Sequence, residues 1–98
     1  MYQNHYFDAV FAHTDLLAAG VIRALTKFGY KIPDDVRVIG FDDIATSKAL
    51  NPALTTMAQP YAEMAAAAVS MMSDRLDLGK WKVTKQIFAA RLVVRGSD

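Results

Sequence analysis

The chain has 98 residues, of which 53% are hydrophobic and 21% charged, with 11 basic side chains, 10 acidic ones and no cysteine. This composition is typical of a soluble chain with one small core, and the absence of cysteine excludes disulfides and thiolate metal sites. No window approaches the roughly 18 apolar residues of a membrane span, and residues 1–6 lack a secretory pattern, so a cytoplasmic protein is expected. The balanced charge and the lack of a helix-turn-helix or Cys/His signature indicate that this stretch does not bind DNA by itself.

The first 41 residues predict a strand, a helix and a second strand. An apolar run at 9–12 predicts the first strand, and apolar residues at spacings of three and four predict a helix over 15–28. Thr14 or Asp15 can cap that helix, with Asp15 the favoured cap, and Gly29 ends it. Residues 36–41 predict a strand buried on both faces, as in a parallel sheet. Together these elements predict a right-handed βαβ unit.

The second half predicts a loop, a short strand, a long helix and a final strand. Residues 44–53 are polar and include Asn51-Pro52, which indicates a loop with a turn of helix around 47–50. A β-prone run at 54–58 precedes a helix over 60–78, with Pro60 at its first position and an apolar stripe along its length. The β-prone runs of 83–94 end in an edge strand. Because strands buried on both faces require helices on two sides and only one βαβ unit is complete, the chain is predicted to be part of a domain.

Two carboxylates, Asp42 and Asp43, directly follow the central strand. In open α/β sheets ligands bind beyond the carboxyl ends of the strands, which makes Asp42 the first candidate functional residue. The pair fits a binding module whose carboxylate accepts hydrogen bonds from ligand hydroxyls, or a magnesium-dependent phosphoryl-transfer or phosphoacceptor domain. No glycine-rich phosphate loop or nucleophile elbow accompanies the pair, so binding is favoured over catalysis and no cofactor is expected. His5 and His13 lack metal-ligand spacing, and no metal site is predicted.

Five motifs carry a resemblance to a known family. They are FAHTDLLAAG at 11–20, IPDDVRVIGFDDI at 32–44, PALTT at 52–56, QP at 59–60 and LVVRGS at 92–97. In order and spacing they resemble the C-terminal part of the lactose-repressor (LacI/GalR) family of bacterial transcription regulators. The resemblance implies a three-layer α/β/α sensor domain of the periplasmic-binding-protein-like type (type I), of which residues 1–98 are a C-terminal part.

The resemblance also implies an internal division and a route to DNA. Residues 8–57 and 83–98 are expected to form the C-terminal lobe, and residues 58–80 a crossover helix to an N-terminal lobe. DNA binding would require a helix-turn-helix that is absent from these 98 residues.

The resemblance implies three ligand-binding residues. Asp42 matches the acid that accepts hydrogen bonds from effector hydroxyls, commonly those of a sugar or a ribose. Thr14 stands where the family often has an Asn that faces the effector, and Tyr61 stands where the family places side chains against the pocket. The alternatives are a helix cap for Thr14, a core-facing residue for Tyr61, and a turn or cap residue for Asp43.

Ala19, Arg23 and Leu50 stand where the family forms its dimer face, so a homodimer is expected. An ordinary exposed helix flank is the alternative for Ala19 and Arg23. The resemblance therefore implies the effector-sensing and dimerisation part of a LacI-type regulator, which is not an enzyme. A periplasmic sugar receptor shares the fold and stays an alternative.

Overall fold

The computed structural model describes residues 6–98, so His5 lies outside the described residues. The elements in chain order are β1 (Ala9–Phe11), α1 (Asp15–Lys27), β2 (Arg37–Asp42), a 3₁₀ helix (Ala45–Ala49), β3 (Thr55–Ala58), α2 (Tyr61–Leu78) and β4 (Arg91–Val93). They fall into two compact units. One holds residues 6–58 and 91–98, and the other holds residues 59–90.

The four strands form one mixed sheet in the order β1-β2-β3-β4. β1 and β3 both run parallel to β2, with Val10 beside Val38 and Gly40 beside Thr56. β4 pairs antiparallel with β3, with Leu92 beside Met57. Because α1 connects two parallel neighbours, the predicted βαβ unit is confirmed.

Both ends of α1 are satisfied by local hydrogen bonds. At the start, the hydroxyl of Thr14 accepts a hydrogen bond from the Leu17 amide at 3.2 Å. At the end, Gly29 adopts a left-handed φ of 87°, and the amides of Gly29 and Tyr30 donate to the carbonyls of Thr26 and Leu25, both at 3.0 Å. This is the Schellman arrangement, in which glycine avoids the steric penalty of a positive φ. The predicted stop at Gly29 is confirmed.

The core lies between α1 and the sheet. Its buried apolar residues are Ala12, Ala18, Ile22, Leu25, Val36, Val38 and Leu54. The three from α1 are spaced by four and three residues, so they share the helix face that packs on β2.

The prediction that the central strand is buried on both faces is wrong. Val38 and Gly40 are buried, whereas Ile39 and Phe41, which alternate with them, are half-buried. The physical reason is that α1 covers one face of β2, and no other α-helix belongs to the unit of residues 6–58 and 91–98. A run of apolar residues does not by itself distinguish full burial on two faces from full burial on one.

The second unit is dominated by α2, none of whose residues is buried. Gly79 ends the helix with φ of 72°, and its amide donates to the Arg75 carbonyl at 3.0 Å. The Arg75 guanidinium lies 5.9 Å from the centre of the Trp81 ring, a cation–π distance. Residues 80–90 contain no helix or strand, so the β-prone run predicted at 83–94 forms a strand only at Arg91–Val93. Within the described part of the chain, neither helix is long and apolar enough to cross a bilayer.

The packing of α1 predicts a stability difference between two leucines of that helix. Leu25 is 1% exposed and Leu16 is 75% exposed. We expect Leu25→Ala to lower the free energy of unfolding by about 2–5 kcal/mol because it leaves a cavity against β2. The matched control Leu16→Ala should change it by less than about 0.5 kcal/mol. Urea denaturation of the three proteins measures both values, and equal losses would show that α1 does not pack as described.

Candidate functional site

The candidate site lies where β1 and β2 end. Phe11 is the last residue of β1, and Phe41 is the residue before the end of β2. Because the two strands are parallel, their carboxyl ends lie at the same edge of the sheet. A recess of about 350 Å³ at this edge is lined by Phe11, His13 and Phe41. Thr14 and Asp42 each follow one of these lining residues directly in sequence.

The backbone turns sharply at the end of β2. Asp42 has φ of 127° and Asp43 has φ of 56°. Residues with a side chain rarely adopt such positive values, and each sparsely populated conformation costs about 1–3 kcal/mol. Strain of this kind occurs at sites where the surrounding structure fixes the chain for a function.

The buried carboxylate of Asp15 accepts three hydrogen bonds near this edge. Asp15 is 0% exposed. It accepts hydrogen bonds from the Ser47 hydroxyl at 2.5 Å, the Ile44 amide at 2.9 Å and the Thr56 hydroxyl at 2.5 Å. The prediction that Asp15 caps α1 is wrong, because the N-cap side chain is that of Thr14. Asp15 instead connects α1 with the 3₁₀ helix and β3.

Gly40 makes room for this carboxylate. A Cβ atom at position 40 would overlap the Asp15 carboxylate and lie 2.9 Å from Cδ2 of Leu54. The glycine in the IGFDD motif is therefore required for close approach of side chains to the strand, and not for a special backbone angle.

The carboxylate of Asp43 is engaged by Arg95. One guanidinium nitrogen of Arg95 lies 2.7 Å from Oδ1 of Asp43, and the other donates to the Leu54 carbonyl at 2.8 Å. This ion pair gives Asp43 a structural role. Within residues 6–98, no group of three or more His, Asp or Glu side chains could hold a metal ion.

The other residues implied by the resemblance belong to α1, to the start of α2 and to the segment between the 3₁₀ helix and β3. Tyr61 is the first residue of α2, in the second unit, and is exposed. On α1, Ala19 is half-buried and Arg23 is exposed. Leu50 is half-buried and packs against the core, so it has a partner within the chain. The ligand role of Tyr61 and the dimer roles of the other three residues stay predictions.

Two aromatic residues at the edge were missed by sequence reasoning. Phe11 pairs with Ile39 in the parallel register, and Phe41 lies two residues further along β2. Since side chains alternate along a strand, Phe11, Ile39 and Phe41 share one face of the sheet. The detectable signal was that each Phe stands within one residue of the end of a predicted strand.

Comparison with known proteins places the chain in a recognised group. A model of the periplasmic binding protein-like domain family matches residues 3–97. The transcriptional repressor CytR of Escherichia coli strain K12 is 34% identical over 89 residues, which are 91% of this chain and 26% of that protein.

Two solved structures show the same fold. The complex of the transcriptional regulator CelR with cellobiose has a TM-score of 0.87 and 31% identity, over 93% of this chain and 28% of that chain. A LacI family regulator from Enterococcus faecium with bound ribose has a TM-score of 0.85 and 32% identity, over 96% of this chain and 35% of that chain.

The mixed sheet, the βαβ unit and the strand-end site define a periplasmic-binding-protein-like α/β domain. The chain belongs to the periplasmic binding protein-like domain family. Its similarity to LacI-type repressors confirms the resemblance and the predicted fold class. The chain spans about a quarter of the length of CytR.

The geometry of Thr14 predicts how its substitution affects stability. Thr14→Ala should lower the free energy of unfolding by about 1 kcal/mol, because the first turn of α1 loses a side-chain acceptor. Thr14→Asn should retain full stability, since Asn is at least as good a cap as Thr. Thermal and urea unfolding measure both effects. Equal stability of wild type and Thr14→Ala would show that the bond to Leu17 contributes nothing.

Proposed function

We propose that this chain is part of a LacI-type bacterial transcription regulator, where it senses a sugar or sugar-like effector and catalyses no reaction. The observation that carries the proposal is Asp42 at the carboxyl end of β2, beside a recess lined by Phe11 and Phe41. The similarity to CytR, a transcriptional repressor, and to regulators with bound cellobiose and ribose supports it. The ion pair between Asp43 and Arg95 weighs against an acid pair that shares a magnesium ion.

The edge combines the two chemistries that sugar binding needs. A carboxylate such as that of Asp42 accepts hydrogen bonds from neighbouring hydroxyls with both of its oxygens, and charged hydrogen bonds are the stronger kind. Phe11 and Phe41 offer aromatic surface for the C–H face of a sugar ring, in a recess that contains few polar groups. Thr14 accepts from Leu17 and still has one hydroxyl hydrogen to donate. Cap and ligand roles for Thr14 are therefore compatible.

The remaining parts of the proposal follow the resemblance. Residues 8–57 and 83–98 are assigned to the C-terminal lobe and residues 58–80 to the crossover helix, with Tyr61 against the ligand. DNA is contacted through a helix-turn-helix outside these 98 residues, and the regulator acts in the cytoplasm. Since the ligand shifts the regulator only through different affinities for two conformations, a site shared by two lobes provides the required coupling.

Asp42→Asn tests the proposed site. The amide keeps the shape of the side chain but loses its charge and one acceptor oxygen, and a charged hydrogen bond contributes about 1.5–3 kcal/mol. In the full-length regulator we expect a tenfold to hundredfold loss of affinity for ribose or cellobiose, measured by titration calorimetry. Operator binding should be unchanged, so the variant should remain in its ligand-free state.

The control is Asp34→Asn, the same chemical change at an exposed position outside the recess at the ends of β1 and β2. It should bind the sugar like wild type. Equal affinity of wild type and Asp42→Asn would show that Asp42 only shapes the loop.

We also propose that the chain forms a homodimer through Ala19, Arg23 and Leu50. The apolar surface of α2 is an alternative dimer interface, because Val69 and Leu76 are 70% and 78% exposed. Sedimentation of wild type at high concentration should show a dimer. Arg23→Glu should produce monomers because it places a negative charge in the interface, whereas Val69→Lys should not. A monomeric wild type, or dissociation by Val69→Lys alone, would contradict this interface.

A further inference from the structure

One buried carboxylate fixes the backbone that follows Asp42. The Ile44 amide donates directly to Oδ2 of Asp15 at 2.9 Å. The Asp43 amide donates to the Thr56 hydroxyl at 3.4 Å, and that hydroxyl donates to Oδ1 of Asp15 at 2.5 Å. The two consecutive amides after Asp42 are therefore linked to the same side chain, one directly and one through a hydroxyl.

A third bond extends this attachment to the 3₁₀ helix. The Ser47 hydroxyl donates to Oδ2 of Asp15 at 2.5 Å, and both side chains are fully buried. Asp15 itself is the first residue of α1, whose buried face packs on β2. The segment 43–47 is thus held by a group that the core keeps in place.

The attachment coincides with the strained part of the chain. Asp42 and Asp43 have φ of 127° and 56°, and such conformations persist where neighbouring groups over-determine them. Arg95 holds the Asp43 side chain, but the two amide links that end on Asp15 hold the backbone itself.

We propose that Asp15 is a positioning residue, which holds the Asp42–Asp43 turn in its positive-φ conformation and thereby aims the Asp42 carboxylate at the ligand. The ligand part of this inference rests on the proposed function. The conformational part depends only on the contacts of Asp15 and can be tested without a ligand.

Asp15→Asn changes the hydrogen bonding at this site and not its size. The Ile44 amide can only donate, so the new amide oxygen must face Ile44 and Ser47. The new NH₂ group then faces the Thr56 hydroxyl, which must accept instead of donate and loses the acceptor for its own hydrogen. The link that ends on the Asp43 amide is therefore the one that weakens.

Two-dimensional NMR of the 98-residue chain tests the conformational part. Three-bond HN–Hα couplings of Asp42 and Asp43 report φ. In Asp15→Asn these couplings should differ from those of the wild-type chain. Thr56→Val, which removes the hydroxyl link altogether, should change the Asp43 coupling in the same way. The matched control is Ile22→Ala, because Ile22 is also buried on α1 but lies outside this network. Its Asp42 and Asp43 couplings should equal those of wild type.

Affinity for ribose in the full-length regulator tests the ligand part, at a temperature where every variant is folded. Asp15→Asn should bind about tenfold more weakly, and Ile22→Ala should bind like wild type even where the two variants are equally destabilised. If Asp15→Asn fails to fold, Ser47→Ala, which removes one donor, takes its place with a smaller loss of affinity.

Wild-type couplings and wild-type affinity in a destabilised Asp15→Asn or Ser47→Ala protein would overturn the proposal, since they would show that Asp15 only adds stability. Absence of ribose and cellobiose binding in wild type would count against the proposed function alone. The couplings would then decide the positioning role.

Discussion

Three donors converge on the buried Asp15 carboxylate and fix how the elements of the first unit pack together. A carboxylate removed from water without hydrogen-bond partners is strongly unfavourable, so the chain must bring Ser47, Thr56 and the Ile44 amide to one point. Gly40 must also lack a side chain there. α1, β2, the 3₁₀ helix and β3 therefore adopt their positions together, and the strand-end turn at Asp42 is a consequence of that arrangement.

Residues near the end of the chain also hold this unit together, because Ser97 hydrogen-bonds to β2 and β3. The Ser97 hydroxyl donates to the Val38 carbonyl at 2.6 Å and accepts from the Thr55 amide at 2.8 Å. The Val38 amide donates in turn to the Ser97 carbonyl at 2.8 Å. Ala58 and Arg91 are cross-strand partners. The chain therefore leaves the first unit after residue 58 and returns to it at residue 91, beside the point where it left. That connection suits the proposed crossover to a second lobe.

Sequence reasoning found what local patterns encode. The periodicity of residues 9–28, the strand-end position of Asp42 and the choice of Thr14 or Asp15 as the cap of α1 all depend on neighbours within a few residues. Asp15 was misassigned because its partners lie 29, 32 and 41 residues away, where no spacing signals them. The Asp43–Arg95 pair spans 52 residues and was missed for the same reason. The half-buried face of β2 was missed because an apolar run does not reveal how many helices cover it.

The proposed ligand site lies at the carboxyl ends of β1 and β2, where the Asp42 carboxylate binds the sugar. A crystal structure of the regulator soaked with ribose would show directly where the sugar binds. We expect the sugar between Phe11 and Phe41, with its hydroxyls at hydrogen-bonding distance, about 2.5–3.0 Å, from the Asp42 carboxylate. A sugar bound elsewhere, or one bound at this edge without contact to Asp42, would contradict it.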